Sequence, residues 1–287
     1  MIEENPRFGE VPDEYAGKEN AQIVILPVPY DGTSTWLKGA DKGPEAIIDA
    51  SSAMWYYDIE TETEVYKKGI YTADAVTENR SPELMVDEVY RRTHDVLEKN
   101  KFLVTLGGEH SISIGVIKAF AEKFEDLTVL QFDAHLDLMP EYEGTANNHA
   151  CIMARAKEHC KVIHVGIRSV DIVEYENAEP DRVFYAHQIH ENDDWMDKVI
   201  SLLTKNLYIT FDLDAFDPSL LPATGTPEPG GMGWYQVMKL LKKVIASTNV
   251  VGFDVVELCP RPGDRTSDYI AAKLIYKLLS YKFEEKK

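Results

Sequence analysis

Seven short runs of β-branched and aromatic residues recur along the chain: QIVILPV (22–28), FLVTLG (102–107), TVLQFD (128–133), KVIHVGI (161–167), RVFYAH (182–187), LYITFDLD (207–214) and NVVGFDVVEL (249–258). Their apolar residues follow one another almost without interruption. A strand with one wet face would alternate apolar with polar residues, so these runs call for parallel strands covered on both faces. The stretches SPELMVDEVYRRTHDVLEKN, SIGVIKAFAEKF, DDWMDKVISLLTKN and WYQVMKLLKKVIAS lie between them, each with apolar residues at helical spacing. A last helix is expected through SDYIAAKLIYKLLSY, and Ser81 before Pro82 and Glu83 reads as a helix start. Neither a linker-like composition break nor a repeat interrupts the pattern. One α/β domain around a mostly parallel sheet is predicted, with any ligand site outside the carboxyl ends of the strands.

Composition narrows the partners. The 287 residues carry 49 Asp and Glu against 30 Lys and Arg, a formal charge of -19, which repels nucleic acid phosphates and is compatible with a cationic substrate. No apolar run reaches the roughly 20 residues needed to span a bilayer, and the acidic start lacks the apolar core of a signal peptide. Cys151, Cys160 and Cys259 are odd in number and have no CxxC spacing. They read as reduced thiols in a cytoplasmic protein that contacts neither membrane nor nucleic acid.

The chemistry gathers where the strands end. FLVTLGGEHS delivers His110, LQFDAHLD delivers Asp133, His135 and Asp137, YITFDLDAFDP delivers Asp212 and Asp214, and GFDVVELCP delivers Glu257. Alternate residues of an extended chain point the same way, so each two-residue spacing aims its side chains at one place. Four carboxylates and two imidazoles at one end of a sheet would repel, protonate or unfold the chain unless cations join them. Two divalent metals resolve the conflict. An oxygen-rich set with one nitrogen for each metal suits Mn²⁺, with Co²⁺ or Fe²⁺ also compatible, and six ligands for two ions imply bridging carboxylates. A metal pair of this kind lowers the pKa of a shared water.

GGEHS, FDAHLD, ITFDLDAFDP and DVVELCP together resemble the signatures of the ureohydrolases, the arginase and agmatinase family. The resemblance runs from GTSTWLKGADKGPEAI (32–47) to TSDYIAAKLIYKLL (266–279). It implies a three-layer α/β/α domain around an eight-stranded sheet, with GIYTADAV (69–76) as the eighth strand, spanning 1–287 with 1–20 as an N-terminal extension. It implies two Mn²⁺, one held by His110, Asp133, Asp137 and Asp212, the other by Asp133, His135, Asp212 and Asp214, with Asp133 and Asp212 bridging. A metal-bridging hydroxide would then attack the guanidinium carbon. Glu257 would orient the guanidinium through paired hydrogen bonds, His149 in NNHAC would protonate the leaving amine, and Asp137 would serve as catalytic group as well as ligand. Asn147 is placed at the substrate beside His149. Glu109 and Asp217 are candidates for orienting ligands, whereas His94, His159, His164, His187 and His190 read as structural. A homotrimer or homohexamer is the family's usual assembly.

The stretch EYEGTANNHACIMARA decides the substrate expected. It lacks the Ser-Gly-Asn-Leu-His-Gly pattern that holds arginine's α-groups and has Glu141 and Glu143 but no basic residue before His149. A pocket without a cationic partner leaves a substrate carboxylate unpaired. Agmatine, hydrolysed to putrescine and urea in polyamine supply, is therefore expected ahead of guanidinobutyrate or arginine. Arg155 and Arg168 are the residues that would reverse this by reaching the pocket. A silent polyamine-binding relative and a single-zinc deacetylase are the readings from other classes, and the intact ligand set disfavours both.

Overall fold

The computed structural model describes residues 6–284; residues 1–5, part of the segment set apart as an extension, lie outside the described residues. Eight strands form one sheet: β1 (Ile23–Val28), β2 (Ile70–Thr72), β3 (Phe102–Gly107), β4 (Leu127–Phe132), β5 (Lys161–Ile167), β6 (Val183–Tyr185), β7 (Asn206–Asp212) and β8 (Asn249–Val256). Every pairing is parallel, in the order β2-β1-β3-β8-β7-β4-β5-β6. The eighth strand expected at 69–76 is β2, shortened to three residues at the sheet's edge.

Each run separates its side chains between two cores. Ile23 and Ile25 of β1 pack with Ile47, Phe253 and Leu274 on one face. Val24, Leu26 and Val28 pack with Met85, Val89 and Ile117 on the other. Both faces are roofed by helices, which is why the runs show no polar alternation. One layer holds the helices Gly43–Ser51, Asp194–Leu202, Trp234–Ser247 and Thr266–Lys282; the other holds Pro82–Glu98 and Ile112–Lys123. Each buried aliphatic side chain contributes about 1.5–3 kcal/mol, so both faces stabilise the sheet. Ser81 caps Pro82–Glu98 by accepting the Leu84 N–H, with Pro82 in its first turn.

Gly43–Ser51 was not among the expected helices, being short and opened by Gly and Pro. Phe8 and Val11, from the segment set apart at the N-terminus, are buried in the first core. Among the described residues, no helix is long and apolar enough to cross a membrane.

Order fixes the site. The strands that carry the ionisable motifs, β3, β8, β7 and β4, are consecutive neighbours at the centre of the sheet. Their carboxyl ends therefore meet, although the motifs lie up to 147 residues apart in sequence.

Candidate functional site

Gly108 brings the first motif into place: a Cβ there would fall 2.1 Å from the Tyr30 carbonyl oxygen, so only glycine lets the chain leave β3 along this path. His110 follows, almost fully buried, with Nδ1 3.2 Å from Asp133 Oδ2, 3.0 Å from Asp137 Oδ2 and 3.5 Å from Asp212 Oδ2. A second imidazole lies on the far side of Asp133: His135 Nδ1 is 3.4 Å from Asp133 Oδ1 and 3.0 Å from Asp214 Oδ2. Asp133 thus turns one oxygen to each histidine. His110, Asp133 and Asp137 form one compact donor group, and Asp133, His135 and Asp214 form another.

The six residues converge as expected, but by a different route from a simple extended alternation. β4 stops at Phe132 and β7 at Asp212. Asp137 has φ 53°, and Asp214 sits in the short turn Leu213–Ala215. These bends are stabilised by the carboxylates themselves. Asp133 Oδ1 accepts the His135 N–H (2.6 Å), Asp212 Oδ1 accepts the Asp214 N–H (2.8 Å), and Asp214 Oδ1 accepts the Ala134 N–H (2.9 Å). Ala134, Leu136 and Leu138 point away into packing, as their spacing predicts.

The donor set fits metal binding on one observation in particular. Thr210 has a single hydroxyl proton and donates it to Asp254 Oδ1 at 2.7 Å. It must then accept from His110 Nε2, 2.9 Å away. Neutral His110 is fixed as the Nε2–H tautomer, so its Nδ1 lone pair faces carboxylate oxygens with no hydrogen bond between them. Acceptors facing acceptors in a buried space need a cation. Gln131 Nε2 holds Asp133 Oδ2 from behind (2.7 Å) and its Oε1 is bonded to His164, so His164 lies two hydrogen bonds behind Asp133.

Left to protons alone, the cluster balances its charge by retaining them. Burial opposes charge on His110, yet Asp133 and Asp137 outweigh it and hold the ring well above its usual value. Burial likewise opposes charge on His135, and Asp214 and Asp133 outweigh it. Burial and then the charge of Asp133 push Asp137 up to about 8, and burial with Asp214 and Asp133 pushes Asp212 well up. A divalent cation binds the deprotonated forms, so its apparent affinity should rise with pH up to and through the region near 8 and weaken as pH falls. Titrating Mn²⁺ calorimetrically at pH 7 in buffers of different ionisation enthalpy should register net proton release. Binding without proton release would contradict this charge balance.

A cavity of about 270 Å³ opens above the cluster. His110, His135, Asp137, Asp212 and Asp214 line its floor, with Glu257 and His149 on the walls. Glu257 has φ 66°, and its Oε1 accepts the His110 N–H at 2.8 Å. His149 begins a short turn capped by Asn148, whose Oδ1 accepts the Ala150 N–H. Burial, then repulsion from His110 and His135, lowers its pKa to about 4.

Two expectations about the surroundings need correction. Asn147 does not line the cavity; its backbone N–H donates to Thr145 Oγ1, which in turn donates to Glu83. Exposed Glu141 and Glu143 also stay outside, and the acidic wall comes from Asp171 and Glu174, which the sequence did not single out. Neither arginine enters. Arg155 pairs with Glu158, and Arg168 directs its guanidinium at the backbone carbonyls of Gly166, Asp214, Glu228 and Pro229. Glu109 is buried against Ser111 behind the cluster, and Asp217 ties the turn at Ser219 to Gly230 and Gly231.

The arginase family model matches residues 21–280. A Synechocystis protein named N(1)-aminopropylagmatine ureohydrolase is 37% identical, the match covering 91% of this chain and 89% of that one. An agmatinase of Pyrococcus horikoshii is 33% identical, covering 90% and 91%. The crystal structure of agmatine ureohydrolase from Thermoplasma volcanium superposes with a TM-score of 0.88 at 28% identity, covering 99% of this chain and 96% of that one. Family members hydrolyse guanidino compounds, typically with two metal ions, and are typically homo-oligomers. The family match over nearly the whole chain, added to this fold, makes the chain a member of the arginase family of ureohydrolases.

Proposed function

We propose that the chain hydrolyses the guanidino group of an agmatine bearing a cationic tail, N1-aminopropylagmatine first and agmatine as the second reading, with release of urea. The observation that carries this is the cavity lining: Asp171 and Glu174 stand beyond the floor, and among the described residues no lysine or arginine lines it. A substrate ammonium finds a partner there, whereas a substrate carboxylate finds none. The Synechocystis relative's name favours the longer substrate and the Pyrococcus relative's the shorter.

In this reading His110, Asp133, Asp137 and Asp212 hold one Mn²⁺, and Asp133, His135, Asp212 and Asp214 the other. The metal pair supplies Lewis acidity that makes water nucleophilic at neutral pH. Glu257, anchored by the His110 N–H, meets the planar guanidinium with paired acceptors and orients it over the floor. Asp137 accepts a proton from the attacking water and passes it to His149. His149 protonates the leaving amine. Asp171 takes the ammonium tail; Glu174, whose oxygens accept the Leu138 and Asp171 N–H groups, keeps that wall in place. Trp36, Leu37 and Tyr142 flank the methylene chain. The three free cysteines support a cytoplasmic setting, and exposed Trp55, Tyr57 and Ile59 offer surface for the partner copies of a trimer or hexamer.

Urea release from N1-aminopropylagmatine, agmatine, arginine and guanidinobutyrate by the Mn²⁺-loaded protein tests the reading. Both agmatines should exceed both acids in kcat/KM by on the order of a thousandfold, the scale of penalty for leaving a buried charge unpaired. Comparable turnover of either acid would refute it.

A further inference from the structure

We propose that Thr33 is a positioning residue for His149: its hydroxyl holds the Nδ1 edge of the ring, leaving Nε2 as the nitrogen that exchanges a proton at the cavity. The inference rests on the reading of His149 as proton carrier.

Thr33 lies 116 residues from His149 in sequence, in the loop that follows β1. It is 6% exposed, so its hydroxyl has little water to bond with. Thr33 Oγ1 accepts the His149 backbone N–H at 3.1 Å and lies 3.2 Å from His149 Nδ1. One oxygen therefore grips both the main chain and the ring, which restrains rotation about the bonds between them. Tyr142 adds a third restraint, its ring meeting the imidazole edge-on at 84° with centroids 6.1 Å apart. Ser34, Thr35 and Trp36, the residues after Thr33, line the cavity themselves, so the same loop that forms a wall also holds the ring.

The chemistry shows why ring orientation matters. When the C–N bond to the leaving amine breaks, its electron pair stays on nitrogen. That nitrogen takes a proton from Nε2 of His149, which the ring, neutral at rest, has just received from the attacking water by way of Asp137, and the ring returns to neutral. A ring free to turn presents Nδ1 or Nε2 indifferently and spends much of its time misaligned. A misplacement of about 1 Å costs on the order of a hundredfold in rate.

Thr33→Val keeps the shape and removes the hydroxyl, whereas Thr33→Ser keeps the hydroxyl. We expect kcat on agmatine to fall roughly tenfold to a hundredfold in Thr33→Val, with KM and Mn²⁺ content unchanged. Thr33→Ser should stay within a fewfold of the wild type. In a His149→Asn background, adding Thr33→Val should have no further effect, because the ring it positions is gone. A purely structural role for Thr33 would instead lower the activity of His149→Asn again. The proposal is overturned by that additivity, by Thr33→Ser as impaired as Thr33→Val, or by unchanged kcat in Thr33→Val. Wild-type protein that released no urea from any guanidine would refute the proposed function itself, which separates the two failures.

Discussion

Asp133→Ala should bring urea release down by on the order of a thousandfold and strip the protein of tightly held Mn²⁺, more completely than alanine at a residue that serves only one of the two donor groups. The reason is its sharing. Asp133 Oδ2 faces His110 and Oδ1 faces His135, so both donor groups lose a member with one substitution. The effect also spreads to the backbone. The His135 N–H and the Gln131 amide both bond this carboxylate, and both would be left without it in the buried interior. Each unmade buried bond costs about 1–3 kcal/mol. Metal analysis after gel filtration, together with a urea assay at saturating Mn²⁺, checks the result, and circular dichroism establishes that the variant is folded. Asp133→Asn, which retains the side chain's shape and an oxygen, guards against misfolding and should also lose metal. Retention of full metal content and activity by either variant would remove Asp133 from the bridging role.

Glu257→Gln should separate substrate recognition from metal binding. The amide keeps one oxygen for the His110 N–H, so the turn is expected to stay in place. It loses the negative charge and one acceptor that a guanidinium would face. Cutting one partner from a desolvated charge pair costs about 2–5 kcal/mol, or roughly thirtyfold to several thousandfold in kcat/KM. Mn²⁺ content should equal that of the wild type. Steady-state kinetics on agmatine, read beside metal analysis, test this. A variant within a fewfold of wild type would show that the guanidinium is oriented elsewhere.

The sequence was informative where a physical pattern repeats and silent where geometry comes from loops. Continuous apolar runs disclosed seven strands because both faces of this sheet are roofed. β2, only three residues long and half-exposed at the edge, had too little pattern to be read without the family's strand count. The DxD and DxHxD spacings pointed to side chains that do come together, because each pair folds back within one short bend. Their convergence nevertheless depends on the left-handed turn at Asp137 and the turn at Asp214, which an extended-strand argument does not anticipate. Asp171, Glu174, Trp36 and Thr33 left no such trace. Trp36 and Thr33 are single residues on a loop, Asp171 and Glu174 belong to the start of the short helix Ile172–Asn177, and only the folded chain brings them to the cavity. Asn147 illustrates the converse, since closeness to His149 in sequence did not place its side chain there. The substrate was harder to read than the reaction for the same reason: the ionisable cluster sits at strand ends, whereas the rest of the cavity lining comes from loops and short turns.

The position of β8 has a consequence for how the protein is made. β8 joins β3 on one side to β7 on the other, yet it is the last strand synthesised. Until residue 249 and those after it leave the ribosome, β2-β1-β3 and β7-β4-β5-β6 have no hydrogen-bonded border between them. Loop closure over such separations is slow, and the exposed inner edges of β3 and β7 invite aggregation in the interval. His110 belongs to one half-sheet and the aspartates to the other, so a cation shared among these side chains would be held only once β8 has joined the halves.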